Sequence, residues 1–163
     1  MFVFITSHTV RAQNIGGVWL SGPGLATDGT GVHNGETQVL SIEDSIVNTI
    51  SGAGGAAIGK IVLGNFKFKK SLNASSLSFL SLAGKGTIVP NLVFKFYEKK
   101  LNGTFLPVFS ITLSNVIVTK YRISSPDNGS GSLQTMEEIS LLYDKIQLTD
   151  NAGNSSIVSG THL

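Results

Sequence analysis

Apolar and polar residues alternate with a period of two over most of the chain. In residues 36–47, Val39, Ser41 and Glu43 fall on one side and Leu40, Ile42, Asp44 and Ile46 on the other. That sorts one apolar face from one mixed face, as a half-buried strand requires, because successive strand side chains point to opposite faces. Residues 61–69 repeat the habit, with Phe66 and Phe68 on one face and Asn65, Lys67 and Lys69 on the other. Residues 87–100, 104–113, 115–124 and 135–148 are rich in Val, Ile, Thr, Phe and Tyr and are predicted as strands. Asn102-Gly103 separates two of them, and an Asn-Gly pair between apolar runs signals a hairpin because both residues tolerate positive φ. Asn128-Gly129 marks a polar loop, and Pro90 and Pro107 belong at strand ends, bulges or edges, since proline has no N–H for a ladder.

One segment breaks the pattern. Asn73 can cap a helix with its side-chain oxygen, and residues 74–83 place Leu77, Leu80 and Phe79, Ala83 at helical spacing before Gly84, the expected stop. Many short strands with glycine-rich turns and a single short α-helix predict a mainly β fold, an antiparallel barrel or sandwich, with the helix plugging an open end. A length of 163 residues allows one domain with a real core, assigned to residues 15–163, preceded by a leader at 1–14. Residues 1–13 read either as the back half of a secretory signal, an apolar stretch followed by small residues around Val10-Arg11-Ala12, or as an ordinary first strand, the signal being the favoured reading. No apolar run approaches the roughly 18–20 residues that cross a bilayer as a helix.

Charged residues are 13% of the chain, where about 25% is usual. The 19 glycines exceed their usual share of about 7%. With no cysteine there is no disulfide framework and no thiolate metal site. The net charge of +2 conceals a polarity: residues 60–100 hold eight lysines against Glu98, while the stretches before and after are acidic. So small a net charge argues against general affinity for nucleic acid. Strand parity separates the lysines from Phe66, Phe68, Phe94 and Phe96, so the rings are expected in the core and the lysines in solvent. A segregated basic block also suits contact with an acidic face of an identical neighbour.

Candidate chemistry is sparse. His8, His33 and His162 lie in the leader, a glycine-rich loop and the tail, without ligand partners at metal spacing, and are expected to be exposed. No nucleophile elbow joins a predicted strand to a predicted helix. Glu43-Asp44 and Glu137-Glu138 are adjacent in strands, so each pair points to opposite faces and presents no paired carboxylates. Residues 54–60 fit GxxxxGK, but Ile61 stands where a phosphate loop needs Ser or Thr, and a strand follows in place of a helix. The sequons at Asn73, Asn102, Asn128 and Asn154 read as turns and one cap. No catalytic residue, cofactor or metal is expected.

The stretches FKFKKSLNASSLSFLSLAGKG (66–86), PVFSITLSNVIVTKYRIS (107–124) and EEISLLYDKIQL (137–148) follow QVLSIEDSIVN (38–48) and SGAGGAAIGK (51–60). In this order they resemble the Hcp family (haemolysin-coregulated protein), the tube proteins of bacterial type VI secretion. The resemblance implies an Hcp-like or tail-tube-like fold and a non-enzymatic subunit of homo-hexameric rings. The rings stack into a tube, meet sheath and spike proteins, shelter effectors, and appear outside the cell after assembly in the cytoplasm. It further implies that Ser51, Gly52, Ala53, Gly54, Gly55, Ala56, Ala57, Ile58 and Gly59 form the loop that touches the adjacent ring. Strand edges at 36–47 and 137–148 would meet neighbours within the ring, through the two unlike surfaces that head-to-tail closure needs. Two departures from the family pattern stand out: residues 22–28 keep only Thr-Asp of the first-loop run, and residues 151–163 lack the Gly-Trp pair, so a shortened or absent closing strand is expected. A signal-like start would instead suit an exported Hcp-like paralogue or a β-sandwich binding carbohydrate or protein. A phage-type tail tube protein shares the same expected fold.

Overall fold

The computed structural model describes residues 15–51, 58–125 and 135–162. The leader at 1–14, most of the Gly-rich loop (52–57) and Asn128-Gly129 lie outside them. The strands are β1 (Ile15–Ser21), β2 (Thr37–Val39), β3 (Ser41–Glu43), β4 (Ile46–Ser51), β5 (Ile58–Leu63) and β6 (Phe66–Ser71). After the helix α1 (Ser75–Lys85) come β7 (Val89–Lys99), β8 (Phe105–Ser124), β9 (Met136–Leu142), β10 (Lys145–Asp150) and β11 (Ser155–Ser159).

Every ladder between these strands is antiparallel, and they form two layers that share β8. One sheet joins β2, β1, β7 and the first part of β8, with β10 and β11 added along β8; the other joins the end of β8 to β9, β6 and β3. The two strands expected at 104–113 and 115–124 are thus one 20-residue strand. Asn115 sits at their junction with φ 52°, a left-handed conformation that asparagine tolerates, and its side-chain amide donates to Asp144 at 2.9 Å.

The single strand expected over 36–47 is three. β2 pairs with β1 and β3 with β6, so the chain crosses from one sheet to the other at Leu40, whose N–H donates to the Lys69 carbonyl at 2.7 Å. After Asp44-Ser45, β4 pairs only with β5. Residues 61–69 likewise divide at Gly64-Asn65, because the Gly64 N–H turns to bond Ser45 O at 2.8 Å. A Cβ at Gly64 would lie 2.2 Å from the Ser45 hydroxyl, so only glycine permits this approach. β1 was not anticipated: Gly16-Gly17 interrupts its alternation, and the register shifts there with Gly17 at φ 126°. The tail also corrects expectation. β11 is a full strand of the closing hairpin, turned by Asp150, whose carboxylate accepts the Ala152 and Asn154 amides at 2.9 Å each.

The core lies between the layers, built from Leu20, Phe66, Phe68, Leu92, Phe94, Leu113, Val116, Ile139 and Leu141. Phe94 stands 4.7 Å from Phe66 and 5.4 Å from Phe68 between ring centroids. Phe96 is only half-buried, while Tyr97, on the opposite face of β7 with Lys95, is buried against His33 and Glu36. Truncating Phe94 to alanine is expected to cost about 3–5 kcal/mol in urea denaturation, the range for a large buried ring whose cavity cannot collapse.

At the helix start the Asn73 side-chain Oδ1 accepts the Ser75 N–H at 3.1 Å, while Ala74 already has helical angles. The helix passes through Gly84, the expected stop, and ends at Gly86, which takes φ 60° and bonds Leu82 O at 3.0 Å. α1 packs on β8 and sets Phe79 against Phe68 at 5.4 Å.

Candidate assembly surfaces

Two buried polar networks hold the scaffold. In the first, Lys70 and Glu137 are both fully buried, with Nζ 2.5 Å from the Glu137 Oε2. The ammonium also donates to Asn73 Oδ1 at 2.7 Å, Ser76 Oγ at 3.0 Å and Ser71 O at 3.0 Å. Tyr121 and Ser76 hydroxyls donate to the carboxylate. Asn73 Nδ2 then reaches Asp28 at 2.9 Å and Thr37 at 2.8 Å, tying the first loop and β2 to the helix start. Lys70 thereby departs from the expectation that the lysines are solvated. The strand parity that buries Phe66 and Phe68 also places residue 70 on their face.

The second network centres on Glu36, which accepts from Lys95 at 2.7 Å and Tyr97 at 3.0 Å and contacts His33 Nδ1 at 3.1 Å. His33 is buried, not exposed as expected: its ring stacks on Trp19 at 3.8 Å and meets the edge of Tyr97 at 4.5 Å. Burial, followed by the bond to Glu36 and its charge, pushes the Tyr97 phenol from 10.0 up to about 12. Tyr121 and Tyr143, the other two tyrosines, are raised further by burial and by Glu137 and Asp44 respectively. Since each folded value lies above the unfolded one, this contribution to stability is intact below the ordinary phenol pKa of about 10 and is lost as pH rises beyond it. Ultraviolet titration of the folded protein should therefore show no phenolate at pH 10, where a free tyrosine is half ionised. Half-titration of any tyrosine there would contradict the networks.

Four further lysines have acidic partners. Lys67 faces Glu43 at 3.4 Å, Lys100 faces Glu98 at 2.7 Å, and Lys69 and Lys120 flank Glu138 at 3.8 Å each. Exposed pairs of this kind stabilise little, but they break up the basic block. Two open clefts, lined by Lys69, Arg122 and Glu138 and by Lys95, Phe109 and Asp150, measure about 270 and 180 Å³. Both are smaller than the roughly 300–1,000 Å³ of ordinary ligand pockets. Among the described residues no cluster of three or more His, Asp or Glu side chains is placed to hold a metal, and no helix is long and apolar enough to cross a membrane.

What the surface does carry is apolar area and open strand edges. Among the described residues the β4–β5 hairpin pairs with itself, from Ile46 opposite Leu63 to Ser51 opposite Ile58, and otherwise makes one bridge, from Val62 to Thr161. Ile46, Val47 and Ile61 are exposed on it, Val47 and Ile61 on opposite faces. On α1, Leu77 is 76% and Leu80 53% exposed. β11 pairs with β10 on one side and with no strand on the other among the described residues, and Ile157 is exposed on it. Such edges invite pairing by another chain. Of the nine residues expected in the ring-contacting loop, Ser51 ends β4 and Ile58 and Gly59 begin β5, while Gly52 to Ala57 lie outside the described residues. Residues 137–148 offer no free edge, contrary to expectation: β9 lies between β8 and β6, and β10 between β8 and β11.

Residues 23–149 match the protein family described as type VI secretion system effector, Hcp. The chain belongs to the Hcp family. No curated protein sequence matches it. Among solved structures it is similar to the Hcp1 protein of E. coli EAEC 042, at TM-score 0.73 and 21% identity, covering 91% of this chain and 99% of that one. It is also similar to the secreted protein Hcp3 from Pseudomonas aeruginosa, at TM-score 0.65 and 16% identity over 88% and 98% of the two chains. Hcp1 from Flavobacterium johnsoniae follows at TM-score 0.61 and 13% identity over 86% and 98%. At these identities the likeness of this Hcp-family chain to the solved structures is one of fold.

Proposed function

We propose that this Hcp-family protein is a non-enzymatic tube subunit that closes into hexameric rings and stacks them head to tail through the β4–β5 hairpin. The observation that carries the reading is the hairpin itself. It belongs to neither layer of the sandwich, pairs with itself apart from one bridge from β5 to Thr161, and shows apolar side chains on both faces. An isolated two-stranded ribbon is marginal in water, so this one gains most by meeting a second surface. The free edge of β11 and the exposed face of α1 supply further unlike surfaces for closure into a ring. Sheath, spike and effector proteins are the partners such a tube implies, with assembly in the bacterial cytoplasm and release outside the cell.

Negative-stain microscopy of the purified protein tests the reading. Six-fold rings, some seen edge-on in columns, are expected; isolated particles of single-chain size at high concentration would remove it.

A further inference from the structure

Outside its own ladder, the β4–β5 hairpin is held at its root by the last described residues of the chain. Thr161 forms a parallel bridge with Val62: its N–H donates to Ile61 O at 3.2 Å, and its carbonyl accepts the Leu63 N–H at 2.9 Å. Gly160 lies so close to β5 that a Cβ there would stand 2.8 Å from the Ile61 carbonyl oxygen and 3.0 Å from the Ile61 and Leu63 side chains. His162 then turns onto Tyr143. Its Nε2 lies 2.6 Å from the Tyr143 carbonyl oxygen and 3.3 Å from the Tyr143 amide, and its ring meets the tyrosine ring edge-on at 5.6 Å. The shorter contact fits a proton on Nε2 donated to the carbonyl. His162 is therefore half-buried, not the exposed tail residue expected from sequence.

Tyr143 completes the circuit. Its hydroxyl donates to Asp44 Oδ2 at 2.7 Å, and Asp44 is followed by Ser45, whose carbonyl accepts the Gly64 N–H at the hairpin root. The tail thus holds β5 directly through backbone bonds and β4 indirectly through Tyr143 and Asp44. We infer that Gly160–His162 is a releasable strap that sets the angle of the β4–β5 hairpin, so that displacing the tail frees the hairpin to swing. The clasp is incompletely satisfied: Asp44 Oδ1 and His162 Nδ1 are buried without a hydrogen-bond partner among the described residues. Burial without a partner costs free energy, so the closed strap is held against an opposing term and opens more readily than the core. The consequence for stacking rests on the hairpin being the ring-to-ring contact proposed above; the strap itself does not.

Hydrogen–deuterium exchange on the intact protein distinguishes the two. Gly160→Val forces a side chain into the β5 backbone, and His162→Ala removes the Tyr143 contact without adding bulk. Either variant is expected to accelerate exchange of the 46–51 and 58–63 amides about tenfold or more, with β7 and β8 unchanged. Leu101→Ser, at a fully exposed position in the turn after β7, serves as the neutral control. Unchanged hairpin rates in both variants, or acceleration spread through β7 and β8, would overturn the strap. A wild-type protein that forms no stacked rings would instead overturn the role of the hairpin, leaving the exchange result to decide the strap.

Discussion

Replacing Lys70 by methionine is expected to destabilise the protein by about 3–5 kcal/mol, the cost of leaving a buried carboxylate without its cation. Glu137 would keep the Tyr121 and Ser76 hydroxyls but lose the ammonium beside Oε2, in a site with no measurable exposure. The same change removes the bond that fixes Asn73, and with it part of the hold on Asp28, Thr37 and the start of α1. Adding Glu137→Leu to Lys70→Met should recover much of the loss, because an apolar pair of similar volume escapes the desolvation of both ions. Chemical denaturation of the two single variants and the double variant closes a thermodynamic cycle. A Lys70→Met penalty below about 1 kcal/mol would mean that the pair is more hydrated than its geometry indicates.

The second large effect is on assembly. Val47→Asp together with Ile61→Asp places a carboxylate on each face of the β4–β5 hairpin, where both native side chains are exposed. Exposed substitutions of this kind usually change monomer stability by only about 0.5 kcal/mol. A charge buried unpaired at a ring-to-ring contact is far more costly, so columns are expected to disappear while the fold survives. Sedimentation velocity, with circular dichroism to show retained strands, reads both parts. Columns that persist in this variant would exclude the hairpin as the stacking element.

Much of the architecture is legible in period-two alternation, since burial on one face of a strand leaves its mark on every second residue. Phe66 and Phe68 face the core and Lys67 and Lys69 the solvent side, as parity requires. Asn102-Gly103 turns the chain between β7 and β8, with Gly103 at φ 83°. Parity cannot show where a strand changes partner. Residues 36–47 read as one strand with an apolar and a mixed face, yet Leu40 carries them from one sheet to the other and Asp44-Ser45 separates β3 from β4. β1 escapes the same pattern because Gly16 and Gly17 contribute no side chain to it. Lys70 shows the opposite failure: its place on the phenylalanine face was readable, but residue type suggested solvent, and only its partner on β9 reveals why an ammonium is tolerated there. His33 and Glu36 lie three residues apart, but their burial depends on Trp19, Lys95 and Tyr97 from two distant strands. The assembly surface was the least legible, since the hairpin and the tail that holds it are brought together only by the fold.

Native mass spectrometry across a range of protein concentrations tests the central claim most directly. A tube subunit should appear as a discrete hexamer, with multiples of that mass emerging at the upper end of the range and lost in the Val47→Asp, Ile61→Asp variant. A monomer at every concentration, or a ladder of masses with no preference for six chains, would contradict it.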